Sequence, residues 1–282
     1  MLWDLKSRVK LEKIHPFKHP SHIEWSPHED QLAIKSTSGD LVLVDPSSGT
    51  SEAVWLRKRG GEGAEVAFSA CGDFLVDCSW DGQVDVFDIR TSDVAYTERI
   101  PHAMITSLAY DRSRARFAYV VSPKATSQTR PSAPDYLAIR NWPFWQNQPV
   151  VLPIDAQDIE AIAFSPDGLC LVVAVSSLGR SSSRVQIHAI ESGAVVAAAN
   201  YSLFASGKSI AWCSGSNVIA NVEQGGVRLY DSSLRKALAF LPAEYPSHVE
   251  FSPCGTYVGV GAWGKGFVCS VEEALANGVH GV

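Results

Sequence analysis

No window of this 282-residue chain approaches the eighteen or so consecutive apolar residues of a membrane-spanning helix; the nearest run, Ala194 to Ala199, is short and built of small side chains. The opening stretch, MLWDLKSRVKLEKI, is broken by Asp4, Lys6, Arg8 and Lys10 where a secretory leader needs its apolar segment. Cysteine is scarce: Cys71, Cys78, Cys170, Cys213, Cys254 and Cys269 include no CxxC pair, which fits neither a disulfide scaffold nor a zinc site. Basic charge is short too, with 24 Lys and Arg against 30 Asp and Glu for a net charge of −6. The one compact basic cluster, Arg57-Lys58-Arg59, reads as a solvated loop, because three cations in an acidic protein cannot hold a polyanion. These absences predict a soluble cytoplasmic protein with no membrane, nucleic-acid or metal partner.

Enzyme signatures are also missing. There is no GxSxG nucleophile elbow, HExxH zinc helix or dinucleotide-binding GxGxxG. The nearest approach to a phosphate loop is Gly207-Lys208-Ser209, but Ser202 stands where its first glycine belongs. The following residues, IAWCS, read as a strand where that loop requires a helix N-terminus. No catalytic residue and no cofactor is therefore expected.

What the chain does contain is repetition. Six segments each read as strand, tight turn and strand: HIEWSPHEDQLAI from His22, AEVAFSACGDFLV from Ala64, ITSLAYDRSRARFAYV from Ile105, IEAIAFSPDGLCLVVAV from Ile159, KSIAWCSGSNVIANV from Lys208 and HVEFSPCGTYVGVGA from His248. Aligned on the aromatic before each turn, Trp25, Phe68, Tyr110, Phe164, Trp212 and Phe251, they recur at spacings of 43, 42, 54, 48 and 39 residues. Third strands follow, ending at Asp45, Asp88, Trp142, Ile190, Asp231 and Val271. Weaker fourth strands fit Ala53–Arg57, Val94–Ile100, Val150–Ile154, Val195–Ala199 and Ala237–Leu241, and nothing convincing follows Val271. A period of forty-odd residues holding four strands marks a β-propeller blade. The expected fold is all-β: one propeller over residues 1–282, with six blades starting near 22, 64, 105, 159, 207 and 247.

LWDL at Leu2 to Leu5, FSPDG at Phe164, SWDGQVDVFD at Ser79 and GGVRLYD at Gly225 make the chain resemble the WD-repeat propeller family over almost its whole length. The resemblance implies a scaffold that binds proteins through its loops. It also implies a hydrogen-bonded Ser79–Asp81 pair in the second unit, the part of the family's His-Ser-Asp-Trp set that this sequence retains. Val44, Phe87 and Tyr230 stand where the family ends its third strands on Trp, so the member is divergent.

A propeller must close, and residues 1–14 offer a closing strand: Val9 and Leu11 alternate with Lys10 and Glu12 and could complete the sixth blade beside Phe267–Val271. The competing reading is that LWDL ends a third strand lacking its first two, as in a piece of a seven-bladed ring. A near-duplication, Pro20-Ser-His-Ile-Glu-Trp-Ser-Pro27 and Pro246-Ser-His-Val-Glu-Phe-Ser-Pro253, would set His22 and His248 on one face of neighbouring blades.

For function, the turns between second and third strands lie on one face and hold Lys35, Trp80, Arg180, Trp263 and Lys265. Large aromatics rimmed by cations have the composition of a binding hot spot, although a Trp at a strand end also packs on the adjacent blade. On the opposite face, Trp142 and Trp145 sit in the turn NWPFWQNQP and form an apolar patch if nothing covers them. The expected function is a non-enzymatic interaction scaffold for a protein or peptide, with Trp80, Trp263, Lys35, Arg180, Lys265, Trp142 and Trp145 as contacts. The alternative is a propeller enzyme or small-molecule binder whose central channel gathers at least two titratable groups with shifted pKa values.

Overall fold

The computed structural model describes residues 3–4, 9–10, 14, 16–46, 53–63, 65–124, 133–143, 146–154, 158–176, 182–202, 209–263 and 265–277. A short pair, β1 (Trp3–Asp4) and β2 (Val9–Lys10), precedes the ring. Blade one is β3 (Pro20–Trp25), β4 (Leu32–Ser36), β5 (Leu41–Val44) and β6 (Val54–Arg57), and blade two is β7 (Val66–Phe68), β8 (Phe74–Cys78), β9 (Gln83–Asp88) and β10 (Asp93–Arg99). Blade three is β11 (Ala103–Asp111), β12 (Arg116–Pro123), β13 (Tyr136–Asn141) and β14 (Val150–Pro153), followed in blade four by β15 (Asp158–Phe164), β16 (Cys170–Ser176), β17 (Ser182–Ala189) and β18 (Val195–Ser202). Blade five is β19 (Ile210–Trp212), β20 (Val218–Glu223), β21 (Gly226–Asp231) and β22 (Ala237–Pro242). Blade six is β23 (Pro246–Phe251), β24 (Tyr257–Ala262) and β25 (Lys265–Ser270), after which the chain turns into α1 (Val271–Asn277). Each blade is an antiparallel meander in chain order. The molecule is a six-bladed β-propeller.

The first hairpin of each blade is set by its turn. In FSPDG the Gly168 N–H donates to the Ser165 carbonyl (2.9 Å), and the Ser165 hydroxyl receives the Cys170 N–H at 2.9 Å. Gly168 stands at φ +66°, and the matching Gly72 and Gly255 at +77° and +71°, a left-handed geometry that costs glycine nothing. The aromatic just before the turn then packs toward the preceding blade: Phe68 joins Leu43 and Ala33 of blade one, Phe164 joins Ile139 of blade three, and Phe251 joins Leu229 of blade five. Five apolar layers of this kind fill the junctions from blades one–two to five–six.

Trp25 departs from its expected structural role. It is 47% exposed, and Ile23 on the same strand face is 53% exposed. Among the described residues no apolar cluster gathers Trp25, and in blade six, the neighbour on its open side, Val268 of β25 is itself 49% exposed. Behind β3, the layer of Leu32, Ile34, Val42 and Val44 is covered in part by Ile14 and Phe17.

The expected closing strand is corrected as well. Val9 and Lys10 pair with Asp4 and Trp3, and among the described residues neither pairs with β25 and the sixth sheet has three strands; Leu11 and Glu12 lie outside the described residues. Ser270 instead caps α1 through a reciprocal pair: its hydroxyl accepts the Glu273 N–H at 3.0 Å, and its own N–H donates to the Glu273 carboxylate at 3.1 Å. Val271 and Ala274 then bury against the blade five–six layer. The Ser-x-x-Glu spacing was the sequence signal for a helix start here.

Ionic struts add to the apolar layers. Lys35 is fully buried, its ammonium donating to the Gly63 and Cys78 carbonyls (both 2.5 Å) and pairing with Asp77 at 2.7 Å. Arg57 clasps the other oxygen of Asp77 and reaches Asp85 at 2.8 Å. Lys35 is thus a strut between blades one and two and not a rim contact, and Arg57 is anchored rather than part of a solvated loop. Elsewhere Arg140 joins blade three to Glu98 of blade two, and Arg116 reaches from Asp111 to the Gly168 carbonyl of blade four. Removing one member of a buried ion pair strands the other. Lys35→Ala is therefore expected to cost about 3 kcal/mol or more, read as a fall in the denaturant midpoint, while replacing the exposed Lys58 next to Arg57 by Ala leaves that midpoint unchanged.

Candidate functional site: the central channel

The inner strands leave a cavity of about 450 Å³ along the propeller axis, lined by residues of all six blades. The residues three and one before each aromatic supply its walls. The outer layer is His22, Glu65, Ser107, Ala161, Ser209 and His248, and the inner layer is Glu24, Ala67, Ala109, Ala163, Ala211 and Glu250. The polar members are not spread evenly. The duplicated Pro-Ser-His-x-Glu segments place two histidines and two glutamates on blades one and six, while alanine lines most of the opposite wall.

Confinement in the channel wall disfavours charge on these groups. Burial, then the Glu250 charge, pushes the Glu24 carboxyl up to about 8. Glu65 is pushed up to about 7 by burial, even though it accepts the Leu108 N–H at 2.7 Å and the Ser107 hydroxyl at 3.3 Å. For Glu250 the direction is upward, through confinement by the wall and the nearby Glu65; its side chain stays 72% open to the channel. Burial depresses His22 to about 4, reinforced by His248 and Lys35, and its Nε2 is buried without a hydrogen-bond partner. Arg112, at the end of β11, is the cation on this lining that offsets the acids.

One arrangement has the order of a catalytic triad. Ser209 Oγ lies 3.3 Å from His248 Nδ1, and His248 Nε2 lies 3.9 Å from Glu250. The same hydroxyl, however, donates to the Val249 carbonyl at 3.2 Å and accepts the Val249 N–H at 3.0 Å. It is held as a staple between blades five and six. Among the described residues no group of three or more His, Cys, Asp or Glu side chains is placed to hold a metal ion.

On the face of the second-to-third-strand turns, Trp263 is 84% exposed, with its N–H donated to the carbonyl of Tyr245, itself 67% exposed. Lys265 is exposed beside it. Trp80 is 42% exposed; its ring lies on Gly63 of the preceding loop so closely that a β-carbon there would meet it at 2.0 Å. Below it the Ser79 hydroxyl donates to Asp81, and Arg99 stands 3.6 Å from that carboxylate. Trp142 is no patch: it is partly buried between Phe74 of blade two (ring centroids 4.9 Å apart) and Phe117 (6.0 Å). Arg180 and Trp145 lie outside the described residues. Phe68, Phe164 and Phe251 are buried, and Tyr110 and Trp212 partly so. The sequence reading missed Glu24, Glu65 and Glu250 as channel residues, although an acid at alternating positions of an otherwise apolar inner strand was visible in it.

Because Glu24 is favoured in its neutral form in the fold, the stability it contributes is fully present below pH 4.5 and is withdrawn as the pH rises toward 8. His22 works in the other direction, favouring folding while neutral and withdrawing stability as the pH falls from 6.5 toward 4. In thermal melts the gain of Glu24→Gln over the unsubstituted chain is expected to grow from pH 5 to pH 9. A constant difference across that range overturns this account of Glu24.

No family model matches the chain. An Arabidopsis thaliana protein described as an F-box/WD-40 repeat-containing protein is 34% identical over 131 residues, 43% of this chain and 23% of that protein. A second Arabidopsis thaliana protein, a U3 small nucleolar RNA-associated protein 18 homolog, is 32% identical over 94 residues, 32% of this chain and 17% of its own length. The matches therefore span less than a quarter of these curated relatives. Among solved structures, Kuenenia stuttgartiensis hydrazine synthase superposes with a TM-score of 0.70 over 92% of this chain and 78% of that one, at 19% identity, a likeness of fold alone. The chain is thus a six-bladed propeller with partial similarity to a protein named for WD-40 repeats.

Proposed function

We propose that this propeller is a non-enzymatic interaction module that holds a protein or peptide partner on the face of its second-to-third-strand turns. The observation that carries the reading is Trp263, 84% exposed and next to the 67% exposed Tyr245 on a rigid blade. Two large rings open to water are costly to leave bare and are the side-chain types that dominate binding energy. Lys265 supplies a rim cation, and the half-exposed Trp80 a second aromatic on the same face. The blades fix these turns in advance, so little conformational entropy is lost when a partner arrives. The WD-40 name of a partial relative supports the scaffold reading.

A channel enzyme or small-molecule binder is the second reading, and the shifted acids of the cavity favour it. Against it stands the Ser209 hydroxyl, which is tied to the Val249 backbone on both its donor and acceptor sides.

The test is capture of partners from a lysate of the source cells by immobilised protein. Trp263→Ala is expected to abolish recovery of the specific partner and Trp80→Ala to weaken it. Folding stability of Trp263→Ala should stay within about 0.5 kcal/mol of the parent, because the ring is exposed. Unchanged recovery by both variants overturns the proposal.

A further inference from the structure

We propose that the central channel receives a basic side chain, arginine or lysine, projected by the bound partner into the space between Glu24, Glu65 and Glu250. This rests on reading the protein as an interaction module and goes beyond it by naming what enters the channel.

Three observations point the same way. The first is charge: Glu24 of β3, Glu250 of β23 and Glu65 ahead of β7 line one cavity with a single offsetting cation, Arg112. Lys35, whose charge also reaches Glu65 and His22, is spent on Asp77 and two carbonyls and cannot swing toward them. The second is the lining: His22 Nε2 is buried with no partner, an acceptor or donor position left open beside Glu24. The third is size. A cavity of about 450 Å³ has room for an extended guanidinium or ammonium side chain, and among the described residues no group of carboxyls and histidines is placed to hold a metal ion.

The energetics of the channel agree. Burial raises all three acids toward or above neutral pH, and neighbouring carboxylates add to the rise at Glu24 and Glu250 while Arg112 offsets it in part. An arriving cation reverses that balance: it stabilises the ionised forms, and the carboxyls release protons as it binds. Affinity for a basic group therefore rises with pH across the range in which Glu24, Glu65 and Glu250 ionise. His22 and His248, both depressed by burial, stay neutral over that range and do not compete with the ligand.

The experiment is calorimetric titration of the full chain with the tripeptide acetyl-Ala-Arg-Ala-amide, its lysine counterpart and the uncharged isostere carrying citrulline. The arginyl peptide is expected to bind at least about tenfold tighter than the citrulline peptide, with affinity rising from pH 6 to pH 8.5 and protons released on binding. Glu24→Gln and Glu250→Gln, made separately so that loss of fold in one leaves the other informative, should each reduce that preference several-fold while retaining the circular dichroism of the parent. Equal affinity for the arginyl and citrulline peptides, or a preference untouched by both substitutions, overturns the proposal. If Trp263-dependent partner capture persists in that case, the interaction reading survives without it. Selective arginyl binding without any partner capture supports the channel site and counts against the turn-face reading.

Discussion

The burial of one blade face by the blade before it is the constraint on which the rest of this molecule depends. A four-stranded meander of this size has two apolar faces and cannot hide either alone. Here the aromatic that ends each inner strand does much of that covering, and it points toward the previous blade: Phe68 into blade one, Phe164 into blade three, Phe251 into blade five. Trp25 is the exception: it is 47% exposed, and the sixth sheet beside blade one has three strands among the described residues, with Val268 also 49% exposed. One rule thus accounts for the five filled junctions, and the sixth is the uncovered seam.

Burying the faces leaves polar groups at the junctions that must be satisfied in place. Lys35, Asp77, Arg57 and Asp85 form a continuous set of charges in which each carboxylate meets a cation and the ammonium also meets two carbonyls. Such a set adds little net stability over apolar residues of equal volume, but it fixes register, because a blade that slips strands several charges at once. Arg116 and Arg140 act the same way at the next junctions. A ring locked in register presents its turns and channel walls in fixed positions, and both proposed contacts depend on that.

The sequence announced the repeating parts and hid the exceptions. Hairpins with Ser, Pro, Asp and Gly at fixed offsets, and strands alternating to an Asp, are local signals; β6, β10, β14, β18 and β22 fall within a few residues of their expected places. What went unread depends on which blade stands beside which. Lys35 looks like a turn cation until Asp77 of the next blade is seen against it, and Trp142 looks like an exposed patch until Phe74 is stacked on it. Trp80 is intermediate, one edge free and one face on Gly63. The start of α1 is marked in the sequence by Ser270 and Glu273, a capping pair that a search for strands passes over.

The asymmetry of the channel follows from the same neighbour logic. At the positions that face the axis, a large or charged side chain is tolerated only where the surrounding wall leaves room and water, and alanine serves where the inner strands crowd together. Blades three, four and five carry Ala109, Ala163 and Ala211 at the inner layer, while the blades flanking the uncovered seam carry Glu24 and Glu250. On that side of the channel the Glu250 side chain is 72% exposed. The junction with the least apolar packing therefore coincides with the most polar part of the channel.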